Sequence, residues 1–113
     1  MIARLWHGLT NRKNSKKYER LLLDEILPGI HRVEGYRGAY LLRREVAEGT
    51  EFVTLTLFDS MDAVKRFAGE DCEGAVVPEE ARRLLTRFDA RSVHYTIVAE
   101  PPASPAGATE RAS

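Results

Sequence analysis

The sequence predicts a ferredoxin-like α+β protein: a βαββαβ sandwich with one antiparallel sheet and helices packed on it. Three observations predict this. Strand-like and helix-like segments follow one another as strand, helix, strand, strand, helix, strand within the first 100 of 113 residues. The two middle strands are separated by Ala47-Glu48-Gly49-Thr50, a tight turn with its glycine, so they form an antiparallel hairpin. The first strand, from Ile2 to Leu9, and the last, from Ser92 to Val98, bracket the pattern, and each carries a histidine beside an aromatic residue. The expected strand order is 4-1-3-2, which sets the last strand antiparallel beside the first.

Each element has its own local reason. Residues 2 to 10 are rich in β-branched and aromatic types and lack a helical period. Asn14 and Ser15 are good helix caps, and Tyr18, Leu21, Leu22, Ile26 and Leu27 then recur at steps of three and four, an amphipathic stripe. Pro28-Gly29 is expected to end or kink that helix. Tyr36 to Val46 and Glu51 to Phe58 read as the hairpin strands. Asp59-Ser60 caps a second helix that Gly69 is placed to end. Pro78-Glu79-Glu80 followed by Ala81, Leu84 and Leu85 reads as a short third helix, acids first and arginines later, as the helix dipole prefers. Arg91 to Glu100 is the last strand. From Pro101 the composition turns to Pro, Ala, Ser, Gly and Thr, so residues 101–113 are expected to be a flexible tail beyond a domain of residues 1–100.

Composition narrows the function classes. Seventeen basic and seventeen acidic residues cancel, which argues against a nucleic-acid partner. The single cysteine, Cys72, excludes a disulfide framework and a cysteine-based metal site, and a reducing cytoplasm is the simplest compartment. No apolar run reaches the ~18 residues that a membrane helix needs. There is no phosphate loop and no nucleophile elbow.

The third strand alternates Val53, Leu55 and Leu57 against Phe52, Thr54, Thr56 and Phe58, so both of its faces carry apolar groups. One chain has helices enough for one face only. The other would be an exposed apolar patch, and pairing with a second copy through the sheet covers it. A homodimer is expected on this ground.

Ile2-Ala3-Arg4-Leu5-Trp6-His7-Gly8, Leu27-Pro28-Gly29, and Gly35-Tyr36-Arg37-Gly38-Ala39-Tyr40 resemble the antibiotic biosynthesis monooxygenase-like family. So do Phe58-Asp59-Ser60-Met61-Asp62-Ala63, Phe67-Ala68-Gly69-Glu70-Asp71 and Val93-His94-Tyr95. The resemblance runs over residues 1 to about 100. It implies a ferredoxin-like protomer in a dimeric α/β barrel. It also implies one of several chemistries: oxidation of polycyclic aromatics by dioxygen without metal or flavin, haem degradation, or isomerisation and decarboxylation of small molecules. The haem-degrading branch uses a helix-borne axial His, an Asn on the first strand and a Trp on the second helix. Here residues 68–77 hold no His, Phe67 stands about where the Trp would be, and the first strand offers Trp6-His7.

His7 and His94 are the candidate catalytic residues, a proton-handling pair if they share a face of the sheet. Two histidines are too few for a metal site, so no metal is expected. An oxygenase of the cofactor-independent kind needs an aromatic-walled pocket and a cation for an oxyanion. Trp6, Tyr40, Phe67 and Tyr95 are the candidate walls, and Arg4 the candidate substrate cation, with Arg37 and Arg43 as further possibilities. The leading expectation is a cofactor-independent monooxygenase acting on an aromatic or polyketide-like small molecule. The alternative is a non-catalytic small-molecule-binding or stress-associated dimer, whose aromatics build core and interface.

Overall fold

Strand β1 (Ile2–Thr10) lies at the middle of the sheet, with partners along both edges. The structure, a computed structural model, describes residues 1–102, so the tail expected beyond Pro101 lies almost wholly outside the described residues. On one side β1 pairs antiparallel with β3 (Gly49–Phe58), from Ile2 opposite Phe58 to Thr10 opposite Thr50. β3 in turn pairs with β2 (Tyr36–Val46) through the expected hairpin. On its other side β1 meets β4 (Leu85–Phe88) and β5 (Val93–Thr96), both antiparallel. The path β2-β3-β1-β4, with β5 also on β1, is the expected order with its last strand in two pieces.

That division corrects the expectation of one strand over Arg91–Glu100, and it moves Leu85 from helix to strand. Its cause is a change of partner. The backbone of residues 90–92 turns from β1 to a strap, residues 69–78: Ala75 donates to the Ala90 carbonyl at 3.0 Å and Ser92 to the Glu73 carbonyl at 2.6 Å. Backbone groups must be paired somewhere, and here the strap supplies the pairing.

Helix α1 (Arg12–Leu21) starts earlier than Asn14 and Ser15 suggest. Asn11 is the cap, its Oδ1 accepting the Asn14 amide at 2.8 Å, while the Ser15 hydroxyl donates back to the Arg12 carbonyl. The helix ends at Ile30, one residue beyond Pro28-Gly29, where a stop or kink was expected. A π-helical turn (Leu22–Ile26) widens it by one residue per turn and leads into α2 (Leu27–Ile30). The wider turn accommodates Pro28, which has no N–H to give and whose ring crowds the preceding turn of a regular helix. Helix α3 (Met61–Ala68) begins at Ser60, whose hydroxyl accepts the Ala63 amide, and ends at Gly69 with φ of 90°. Helix α4 (Glu79–Leu84) follows Pro78.

Strand alternation sorts the side chains into two layers. Arg4, Trp6 and Thr10 of β1 and Phe52, Thr56 and Phe58 of β3 are buried under the helices. Two apolar clusters form there. One joins Trp6, Tyr18, Leu22, Phe52 and Ala81; the other joins Ile30, Phe58, Ala63 and Val64. Tyr18 and Phe52 meet edge to face at 4.9 Å, the arrangement that ring quadrupoles favour. Among the described residues no helix covers the opposite face of the sheet, which is bare. Tyr40, Leu42, Val93 and Tyr95 remain 49 to 59% exposed there, beside Leu5, Val53 and Leu55.

Candidate functional site

The two clusters do not quite meet. Between them, under the helices, is a cavity of about 60 Å³. Its floor comes from alternate residues of the two central strands, Arg4 and Trp6 from β1 and Thr54 and Thr56 from β3. Tyr18, Leu22 and Ile26 form a helical wall, Phe67 stands at one side, and Val76, Val77 and Pro78 of the strap form a roof.

Arg4 is the only charged residue among the described ones that line it, and it is 4% exposed. Its Nη1 donates to the Cys72 carbonyl at 2.5 Å and to His94 Nε2 at 2.9 Å, and Nη2 donates to the Gly74 carbonyl at 2.9 Å. The guanidinium carbon lies 5.4 Å from the centre of the Phe67 ring, a cation–π contact. No carboxylate of the described residues lies within 4.0 Å of it. The two acids of the strap, Asp71 and Glu73, turn outward to Arg91 at 2.8 and 3.3 Å. Burial lowers the Arg4 pKa, with the Cys72 thiol opposing, but an arginine stays a cation at neutral pH.

His94 stands opposite Arg4 in the β1–β5 register, so both side chains reach the helix side of the sheet. Burial and the Arg4 charge hold its pKa below the ordinary value, with Glu73 opposing. Arginine can only donate, so Nε2 accepts and the proton of the neutral ring sits on Nδ1.

His7 is elsewhere. It lies three residues along β1 from Arg4, an odd step, and therefore faces the bare side of the sheet. The structure does not bring His7 and His94 together, and the proton-handling pair expected of them is not formed. His7 meets Asp89 instead: Asp89 Oδ2 accepts from the His7 amide at 3.0 Å and lies 2.9 Å from Nδ1. A polar groove of about 320 Å³ beside it is lined by Arg44, Glu48, Glu51 and Arg87.

Of the expected pocket walls, Trp6 and Phe67 line the cavity, whereas Tyr40 and Tyr95 do not. The reason is parity. Tyr95 is opposite Ala3 and Tyr40 opposite Leu55, positions on the bare face. Arg37 and Arg43 are surface ion-pair partners, of Asp59 and of Glu19 and Glu45. Trp6 is fixed by its indole N–H, which donates to the Asp89 carbonyl at 2.8 Å, and by Gly8, whose missing side chain leaves room for the indole. Sequence reasoning missed the hydroxyls of Thr54, Thr56 and Ser92 in the lining, and Asp89. The alternation of β3 pointed to the two threonines; nothing in residue type pointed to Asp89, which lies in the break between β4 and β5. Among the described residues no three His, Cys, Asp or Glu side chains gather to hold a metal, and no helix is long and apolar enough to cross a membrane.

An open antiparallel sheet with helices on one face and a small cavity between the layers defines an α+β protein of the ferredoxin-like kind. No family model and no curated protein match the sequence. Solved structures do match the fold. A Bacillus cereus protein assigned to the antibiotic biosynthesis monooxygenases is 18% identical, with TM-score 0.61 over 93% of this chain and 98% of that one. SnoaB, a cofactor-independent oxygenase from Streptomyces nogalater, is 14% identical, with TM-score 0.61 over 90% of this chain and 97% of that one. The haem-degrader MhuD from Mycobacterium tuberculosis, with two haems in its active site, is 14% identical, with TM-score 0.64 over 90% of this chain and all (100%) of that one. The chain has the fold of the antibiotic biosynthesis monooxygenase-like proteins, the family its sequence resembles.

Proposed function

We propose that the protein is a cofactor-independent monooxygenase that oxidises an aromatic or polyketide-like phenol or enol in the cavity above Arg4. The observation that carries this reading is Arg4, a buried cation in the cavity floor beside Trp6 and Phe67, held from outside the lining by the His94 imidazole. The phenol or enol binds as its oxyanion, its proton released to solvent, and Arg4 stabilises that charge, while His94, outside the cavity lining, holds the guanidinium in place through Nε2. The electron-rich ring carbon then attacks dioxygen. The resulting peroxide anion takes a proton from water to become a hydroperoxide, and its O–O bond breaks as the C–H proton on the same carbon is lost, so that water leaves and a carbonyl remains. One dioxygen is consumed; one of its atoms enters the product and the other leaves as water. His7, on the other face, takes no part in this site.

Dioxygen uptake with anthrone-like polycycles tests the reading. Uptake is expected with the native protein and a fall of ~10²-fold or more in Arg4→Met, as loss of an oxyanion donor gives. Uptake equal in the two proteins, or none with any phenol that binds, overturns it.

The second reading is a non-catalytic small-molecule-binding or stress-associated dimer whose aromatics build core and interface. The small size of the cavity favours its structural side, since pockets for drug-sized ligands run to ~300–1,000 Å³. Under either reading the bare face of the sheet is a dimer interface in which two copies cover Tyr40, Leu42, Val93 and Tyr95. The lone Cys72 fits a cytoplasmic setting.

A further inference from the structure

The cavity is not isolated. It shares Ile26, Ile30, Phe67, Val76 and Pro78 with an outer groove of about 310 Å³ that opens between the first helix and the strap. The two chambers differ in chemistry. The inner one carries a single charge, the Arg4 cation. The outer one is walled by apolar side chains, with Glu25 and Glu80 at its rim. At about 60 Å³ the inner chamber is too small for a ring system and large enough for a carboxylate or a phenolate oxygen with its nearest carbons. The outer groove is large enough for a fused bicyclic body.

We infer that the ligand is an amphipathic monoanion, an apolar, flat body in the outer groove with one anionic oxygen group seated on Arg4 in the inner chamber. The inference rests on the reading of this cavity as the ligand site, and it adds the charge, polarity and direction of the ligand. Three features carry it. A buried guanidinium without a carboxylate partner is costly, and an anionic head group supplies the missing counter-charge. Three of the five N–H groups of Arg4 are engaged, by two carbonyls and His94, which leaves donors for a further acceptor. Glu25 and Glu80 repel a second negative group at the outer end, so the charged end enters first and the tail is neutral.

Four probes test this on the full-length native protein by calorimetry, followed in parallel by the fluorescence of Trp6, the only tryptophan. They are 2-naphthoate, its neutral isostere 2-naphthamide, acetate as the head group alone, and 2,6-naphthalenedicarboxylate. The expected result is that 2-naphthoate binds at least tenfold more tightly than each of the other three and perturbs Trp6 emission. Arg4→Met is expected to abolish the preference for naphthoate over naphthamide, and Arg4→Lys to retain it at reduced size. If Arg4→Met does not fold, the four-probe series on the native protein decides alone. Equal binding of naphthoate and naphthamide overturns the inference, as does a preference that survives in Arg4→Met. The dicarboxylate binding as tightly as the monoanion overturns the assigned direction. Neutral polycycles that bind and consume dioxygen would sink this inference and leave the proposed function standing. Arg4-dependent naphthoate binding with no oxidisable substrate would do the reverse.

Discussion

Arg4 Nη1 and His94 Nε2 lie 2.9 Å apart, on residues directly opposite each other in β1 and β5. The contact requires a neutral imidazole, because a protonated ring presents two donors to a group that can only donate. It therefore ties the packing of the cavity floor to pH.

The sign of that dependence follows from the direction of the shift. The folded-state pKa of His94 lies below its ordinary 6.5, mainly through burial and then through Arg4. Between the two values the unfolded chain binds more protons than the folded one, so stability falls as pH falls. The stabilising contribution is present above about pH 6.5 and is lost as pH drops through the folded-state value. Thermal unfolding from pH 7.5 down to pH 5 is expected to show a smaller loss of Tm in His94→Gln than in the native protein. Parallel pH profiles for the two would show that His94 titrates as if unfolded.

Gly8 is a packing device for Trp6. A Cβ at position 8 would lie 2.8 and 2.9 Å from two atoms of the Trp6 ring, and 3.0 Å from Leu85 Cδ2. Gly8→Ala is expected to push the indole from its place and to cost about 1–3 kcal/mol, the usual range for overpacking. Urea unfolding measures the loss, and a shift of Trp6 emission reports the displaced ring. A stable variant with native emission would mean that the indole has another place to lie.

Much of this architecture was legible in the sequence because it rests on local signals. The β3 alternation, the hairpin turn (Ala47-Glu48, two residues shorter than the expected Ala47–Thr50) and the Ser60 cap each name one element and its orientation. The strand parity that separates Arg4 and Trp6 from His7 was equally available, and it shows why His7, Tyr40 and Tyr95 belong to a different face from the cavity. What was not legible depends on backbone groups far apart in sequence. The carbonyls of Cys72 and Gly74 hold Arg4, and the carbonyl of Asp89 holds Trp6. A main-chain carbonyl leaves no mark in residue type. The same is true of the strap that divides the last strand, since its pairing with residues 90–92 is a long-range choice of backbone partner.

The bare sheet face yields a prediction about assembly. Leu42 is 50% exposed and lies opposite Val53, within the apolar patch and away from the cavity. Leu42→Glu places a charge in an interface that would otherwise be dry, while the folded monomer leaves that position in water. Light scattering is expected to give a dimer for the native protein and a monomer for Leu42→Glu, with unchanged circular dichroism. A native protein that is monomeric at tens of micromolar would remove the dimer from the proposal.

Asp89 separates the two faces of the sheet chemically. Its carboxylate serves His7 on the bare side, and its main-chain carbonyl serves Trp6 on the cavity side. Asp89→Asn keeps an acceptor for the His7 amide and is expected to be near neutral in stability. Asp89→Ala removes that acceptor and is expected to cost about 1 kcal/mol, the net value of a half-exposed hydrogen bond. Neither change touches the carbonyl that holds Trp6, so Trp6 emission and 2-naphthoate binding are expected to match the native protein in both. His7→Gln is expected to behave alike, whereas His94→Gln alters naphthoate binding. Naphthoate affinity that falls with His7→Gln as steeply as with His94→Gln would show that the two faces are coupled, and that parity along β1 does not isolate the cavity from the His7 side.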